Sequence, residues 1–187
     1  MGRIAVFIDR DGTINKESGY IDRPDMIELI PGSAEAIRMI NGMGIKAVIV
    51  TNQSGIGRSY FSEESLNEVN DRLKEILMEE DAHIDAVYYC PHHPDDGCDC
   101  RKPMPGLLKK AASELDIDLC SSYVIGDKIS DLILAQNVGA MGILVRTGYG
   151  SETIEAVKDQ EGLPGLVKED LLSAVRWIKE DIKRYSS

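Results

Sequence analysis

Two carboxylates one residue apart, Asp9 and Asp11, follow directly on the apolar run Ile4 to Ile8 and precede Gly12, Thr13 and Asn15. A run of that length and composition reads as a strand buried on both faces. The two acids therefore stand at or just past its carboxyl end, where open α/β sheets place their ligands. There one carboxylate can serve as nucleophile and metal ligand while the other handles protons. D-x-D-G is also an ordinary turn sequence, because Asp and Gly are what turns use. A catalytic role needs partners elsewhere in the chain.

Such partners occur where other apolar runs stop. Ala47 to Val50 ends in Thr51, Asn52 and Gln53; Tyr123 to Ile125 ends in Gly126, Asp127 and Lys128; Ile143 to Val145 ends in Arg146, Thr147 and Gly148. Ile84 to Tyr89 leads into a cysteine-rich loop, Cys90 to Arg101, with Lys102 next. Taken singly these have structural explanations: Thr51 as a turn cap, Asp127 as a helix-entry residue, Lys102 as a solvated charge. Parallel strands bring their carboxyl ends to one edge, and there the groups converge on phosphoryl transfer. Oxygen-rich anions favour Mg²⁺, and Lys102 with the Thr51 hydroxyl suits the remaining phosphoryl oxygens.

The loop CPHHPDDGCDC adds a second constellation. Cys90, Cys98 and Cys100 fall within eleven residues, a spacing that suits tetrahedral Zn²⁺ with His92 or His93 as fourth ligand. Four protein ligands leave no open position, so such a zinc is structural. The position it fixes, Cys100, immediately precedes Arg101 and Lys102. Cys120 stands apart and is expected to be an ordinary, partly buried residue.

The elements that must hold these groups alternate strand and helix. Pro31 to Ser33 opens a helix with Ile37 and Ile40 on one face, stopped by Gly42 and Gly44. Ser62 is expected to cap a helix whose stripe is Leu66, Val69, Leu73, Ile76 and Leu77, with Glu63 and Glu64 at its positive end. Pro105 and Gly106 open a third, with Leu108, Ala111, Ala112 and Leu115 inward; another runs from about Ser130 to Gly139, and a last from Leu171 to Ile182 with Val175 and Ile178 inward. Lys16 to Ile30 has no sustained period and reads as a loop or small flap over the first strand's end, and Tyr149 to Gly165 as loop and helix. The expected fold is α/β: a Rossmann-like open parallel sheet with helices on both faces, as one domain over residues 1–187.

Composition narrows the function classes. The chain has 187 residues, 43% of them hydrophobic, and a net charge of −11. That charge, with no basic block, disfavours general nucleic-acid binding. No apolar run approaches a membrane span and the N-terminus enters a strand directly, so a soluble, cytoplasmic protein is expected, as a monomer with no membrane partner.

The stretches VFIDRDGTIN at 6–15, VTNQSGIGR at 50–58, CRKPMPG at 100–106 and VIGDKISD at 124–131 resemble the four motifs of the haloacid dehalogenase superfamily of aspartate-nucleophile phosphatases. More narrowly the chain is similar to the heptose bisphosphate phosphatases of nucleotide-activated heptose biosynthesis and to the histidinol-phosphate phosphatases, over roughly residues 4 to 150. The resemblance implies that Asp9 attacks phosphorus and that Asp11 protonates the leaving sugar oxygen, then activates water. It implies Mg²⁺ on Asp9, the Asp11 carbonyl and Asp127, with Asp131 orienting the region. Thr51, Asn52 and Lys102 would hold the transferring phosphoryl group. Ser18, Gly19, Tyr20, Arg58, Arg101 and Lys128 would contact a small phosphorylated sugar. The zinc loop is implied to use Cys90, His92, Cys98 and Cys100. No large cap domain is expected, so loops must cover the site, and the missing cap favours hydrolysis over transfer to another acceptor. The alternatives are a histidinol-phosphate or other small sugar-phosphate phosphatase, a phosphotransferase or mutase, and a zinc-stabilised binding protein on a retired scaffold. Intact Asp9, Asp11, Lys102 and Asp127 argue against the last.

Overall fold

The computed structural model describes residues 2–158 and 165–185. Six strands, β1 (Ala5–Ile8), β2 (Lys46–Asn52), β3 (Ala86–Cys90), β4 (Tyr123–Gly126), β5 (Met141–Val145) and β6 (Leu166–Lys168), form one sheet in the order β3-β2-β1-β4-β5-β6. Every pairing is parallel. From β1 the chain first adds strands on one side, then crosses to β4 on the other. The carboxyl ends of β1 and β4 therefore flank the point where strand order reverses, the usual ligand crevice of such sheets.

Alternation along β1 explains the two layers of helix. Val6 and Ile8 face a core shared with α1 (Ser33–Gly42), α3 (Glu63–Glu79) and α7 (Leu171–Tyr185), through Ile37, Ile40, Val69, Leu73, Val175 and Ile178. Ala5 and Phe7 face the opposite core with α4 (Gly106–Leu115) and α5 (Ile129–Val138), through Leu108, Ala111, Leu134 and Ala135. All four β1 side chains are fully buried, and for the larger ones this is worth about 1.5–3 kcal/mol each. Ser62 caps α3 as expected, its hydroxyl accepting from the Ser65 N–H at 3.1 Å.

Some boundaries differ from the sequence expectation. A one-turn α2 (Ser54–Gly57) and the edge strand β6 were not anticipated: each is too short to show a period, and β6 is identified only by its pairing with β5. α6 (Gly150–Val157) supplies the helix expected after Tyr149, and residues 159–164 of that stretch lie outside the described residues. The flap is more tied down than a loop. Lys16 N–H donates to Glu28 O at 2.8 Å, Ile30 N–H to Ile14 O at 2.9 Å, and Ile21 and Ile27 are buried beneath. Among the described residues no helix is long and apolar enough to cross a membrane.

Candidate active site

The chain leaves β1 at Asp9, whose N–H still donates to Ile125 O of β4 at 2.9 Å. It then turns through Gly12 at φ +84°, where a Cβ would stand 2.3 Å from Asp127 Oδ2; at Gly148, φ +56°, one would stand 2.2 Å from the same oxygen. Only glycines let these two loops close over Asp127. Thr147 Oγ1 fastens them by donating to Gly12 O at 2.7 Å.

Asp9 Oδ1 accepts from the Arg10 N–H at 2.8 Å and lies 2.9 Å from Lys102 Nζ. The same ammonium sits 2.6 Å from Asp131 Oδ1, and Asp131 Oδ2 accepts from the Lys128 N–H at 3.2 Å. Burial alone would lower the pKa of Lys102; Asp131 and then Asp9 reverse that and hold it raised. Asp127 takes the Tyr149 N–H on Oδ2 at 2.8 Å, whereas its Oδ1 is buried and accepts no hydrogen bond among the described residues. Burial and the negative charge of Asp9 push the Asp127 carboxyl up to about 7. Oxygens of Asp9, Asp127 and Asp131 all lie within 4.8 Å of one another. One buried lysine cannot neutralise three carboxylates, and an orphaned carboxylate oxygen among them fits a divalent cation.

Asp11 faces a different set of partners. Arg10, itself fully buried, clasps it through Nε and Nη2, both at 3.0 Å; Asn15 Nδ2 donates at 3.0 Å and Gln53 Nε2 at 2.8 Å. Burial would raise its pKa, but the Arg10 charge and these hydrogen bonds bring it below the ordinary value. Gln53 Nε2 also donates to Thr51 Oγ1 at 2.9 Å. The Thr51 hydroxyl therefore accepts there and keeps its own proton for a ligand.

A cleft of about 480 Å³ opens over these groups, lined by Asp9, Asp11, Thr51, Asn52, Lys102, Arg101, Lys128, Gly19 and Tyr20 among others. Asp127 lies fully buried behind them. The Asn52 amide spans the Lys102 main chain, donating to its carbonyl at 3.2 Å and accepting its N–H at 3.0 Å, so it positions the lysine and keeps one N–H for a ligand in the cleft. Ser18 is exposed, between the cleft residues Glu17 and Gly19. Arg58 ends α2, which is tied to the cysteine loop by Gly57 N–H to Pro91 O at 2.8 Å, and its Nε is buried with no hydrogen bond among the described residues.

The cysteine loop gathers Cys90, His92, Cys98 and Cys100, with one ligand atom from each within 4.8 Å of the others. His92 Nδ1 is 3.1 Å from Cys100 Sγ, and Cys90 Sγ is 3.5 Å from Cys98 Sγ. His93 turns away and accepts the Asp95 N–H in its own turn, which decides between the two histidines. Three thiols and one imidazole so arranged suit tetrahedral Zn²⁺. Cys120 is exposed, not partly buried, because it sits on a surface turn between α4 and β4.

Arg10, buried behind the cleft, and Glu17, Ser54, Ser130 and Tyr149, on its wall, carry no chemical signal in the sequence. Arg10 is the unspecified middle position of D-x-D, and a buried cation there has no periodic signature. Gln53, in the polar run at the end of β2, also lines the cleft. Glu17 and Tyr149 flank Lys128, whose ammonium lies 3.3 Å from Glu17 Oε2 and 5.0 Å from the Tyr149 ring centre.

Residues 99–174 match the HAD-hydrolase-like family. The D-glycero-D-manno-heptose-1,7-bisphosphate 7-phosphatase of Thermosynechococcus vestitus is 42% identical over 189 residues, covering 95% of this chain and 96% of that one. The D-glycero-beta-D-manno-heptose-1,7-bisphosphate 7-phosphatase of Escherichia coli K12 is 44% identical over 153 residues, 77% of this chain and 80% of its own. The crystal structure of D,D-heptose 1,7-bisphosphate phosphatase from B. bronchiseptica, complexed with magnesium and phosphate, superposes with a TM-score of 0.87 at 36% identity, covering 95% of this chain and 99% of that one. With its parallel sheet, its aspartates at the crevice and these relatives, the chain belongs to the heptose bisphosphate phosphatase family of haloacid dehalogenase-like hydrolases.

Proposed function

We propose that this protein removes the 7-phosphate of D-glycero-D-manno-heptose 1,7-bisphosphate through an aspartyl-phosphate on Asp9. The observation that carries this is the setting of Asp9. One oxygen is pinned by Lys102 and a main-chain N–H, and a buried carboxylate with an unused oxygen stands behind it. Asp9 Oδ2, which accepts no hydrogen bond among the described residues, remains to attack phosphorus. Thr51 and Lys102 hold the phosphoryl oxygens. Asp11 gives its proton to the departing sugar oxygen and then takes one from the water that hydrolyses the aspartyl-phosphate.

Asp9, Asp127 and the Asp11 main-chain carbonyl would hold Mg²⁺, which supplies charge neutralisation so that a carboxylate can approach a phosphate dianion. Cys90, His92, Cys98 and Cys100 would hold a structural Zn²⁺. Its use is positional, since the loop also carries Arg101 and Lys102 and accepts the Gln53 N–H at Cys90 O, 2.8 Å away. Cys98→Ser is therefore expected to lose stoichiometric zinc by elemental analysis, with a lowered Tm and at least about tenfold less activity. Normal activity in zinc-free protein would contradict the assignment.

The second phosphate would meet Arg101 and Lys128 at the cleft mouth. Arg101 Nη1 is buried and donates to nothing among the described residues, as suits a guanidinium that completes its bonding on an anion. The direct test is phosphate release against a panel of both heptose bisphosphate anomers, heptose 7-phosphate, histidinol phosphate and common sugar phosphates, with the product located by phosphorus NMR. Release of the 7-phosphate with the 1-phosphate retained is expected. Arg101→Ala should shrink the preference for bisphosphate over heptose 7-phosphate by about 10-fold or more. An equal loss on both substrates would confine Arg101 to the transferring phosphate.

A further inference from the structure

Asp11 is held by more donors than a mobile proton carrier needs. An ionised carboxylate has about four lone-pair positions, and Asp11 fills them: Oδ1 with Arg10 Nε and Asn15 Nδ2, Oδ2 with Arg10 Nη2 and Gln53 Nε2. It can take up or pass on a proton only after a donor gives way. Each donor side chain has a second acceptor that stays when Asp11 moves. Asn15 Nδ2 keeps Lys16 O at 2.9 Å, Gln53 Nε2 keeps Thr51 Oγ1 at 2.9 Å, and Arg10 Nη1 keeps Asn70 Oδ1 at 3.0 Å. The first two acceptors are near neighbours in the chain. Asn70 is not: it lies on α3, 60 positions away, and is itself buried.

We propose that Arg10, anchored by Asn70, is a positioning residue for proton transfer by Asp11. This rests on the Asp9 and Asp11 roles proposed above. Arg10 is fully buried, so water cannot replace a lost partner. A guanidinium held only by Asp11 would follow the carboxylate as it turned toward the reacting oxygen, and would hold the proton carrier back. Held also by Asn70, it stays in place, lets the carboxylate turn, and receives it again.

The steps balance. Asp11 turns from its donors and takes a proton from solvent. Asp9 oxygen forms a bond to phosphorus as the phosphorus–sugar oxygen bond breaks, and Asp11 gives that proton to the sugar oxygen. Water oxygen then bonds phosphorus as the Asp9–phosphorus link breaks, the water proton passes to Asp11, and Asp11 returns it to solvent as it goes back to its donors ionised. Both transfers need Asp11 free to turn, and the cycle leaves Asp9 and Asp11 as they began.

The test separates proton delivery from general damage by using two leaving groups in rapid-quench kinetics on the magnesium- and zinc-loaded protein. p-Nitrophenolate departs without a proton, whereas the heptose alkoxide needs one. In Asn70→Leu, first-turnover nitrophenolate release should stay near wild type while first-turnover cleavage of heptose bisphosphate falls about tenfold or more. A nitrophenolate burst matching the enzyme concentration should also appear, because hydrolysis of the aspartyl-phosphate needs Asp11 too. Arg10→Lys should show the same split more strongly, and Asn70→Ala replaces Asn70→Leu if the larger residue prevents folding. Equal losses on both substrates would overturn the proposal by making Asn70 merely structural, as would no loss on either. First-turnover nitrophenolate release that persists in Asp9→Asn would instead overturn the Asp9 mechanism, and this inference with it.

Discussion

Asp9→Asn is expected to lose turnover by at least roughly 10⁴-fold while remaining folded and zinc-loaded. Asparagine keeps the shape of the side chain and can still accept the Arg10 N–H, but its amide is a poor nucleophile and cannot pair with Lys102 as an ion. Asp9 is 5% exposed and sits beside two other buried carboxylates. Removing its charge relieves repulsion with Asp127 as much as it deprives Lys102 of a partner, so collapse of the fold is not expected. Circular dichroism and zinc content should match wild type; kcat should not. Asp11→Asn should instead keep the nucleophile and lose proton transfer, about 10² to 10⁴ in rate.

Asp127→Asn is expected to separate activity from stability in opposite directions. Its carboxyl is pushed up to about 7 in the folded protein, well above the ordinary carboxylate range, by burial and by Asp9. A raised carboxylate pKa means that the folded state prefers the neutral form. That contribution is fully present below the unfolded value of about 4 and is lost as pH rises through about 7. In EDTA at pH 8 the wild type therefore carries the cost of a buried, unneutralised charge, and Asp127→Asn does not. The variant should melt higher, by roughly 4–8 °C if the difference is about 2 kcal/mol, and the gap should close toward pH 5. In Mg²⁺ the order should reverse for function, with kcat/KM reduced at least roughly 10²-fold. A variant that melts at or below wild type in EDTA at pH 8 would show that Asp127 is not strained by its neighbours and would remove the main physical argument for a cation there.

What the sequence made legible is what depends on short, apolar strands and the polar groups just past them. β1, β2, β4 and β5 each end in a change from aliphatic to polar residues, and parallel pairing alone carries Asp9, Thr51 and Asp127 to one edge. The thiol spacing marks the Cys90–Cys100 cluster in the same way; spacing alone leaves His92 and His93 open, the family resemblance points to His92, and His92 is the one gathered with the three thiols. The rest depended on long-range side-chain contacts. No spacing indicates that Arg10 reaches Asn70 across the core, or that the Asn52 amide holds the Lys102 main chain. The single turn of α2, which ends at Arg58, has four residues, too few to betray a helix in advance.

The most direct measurement is to locate the phosphoryl group itself. Asp11→Asn protein mixed with magnesium and p-nitrophenyl phosphate, whose leaving group needs no proton, quenched in acid within the first turnover and digested, should yield one peptide heavier by a phosphoryl group, with the modification on Asp9. A modification on any other residue would contradict the account, as would first-turnover release of nitrophenolate with no modified peptide at any quench time.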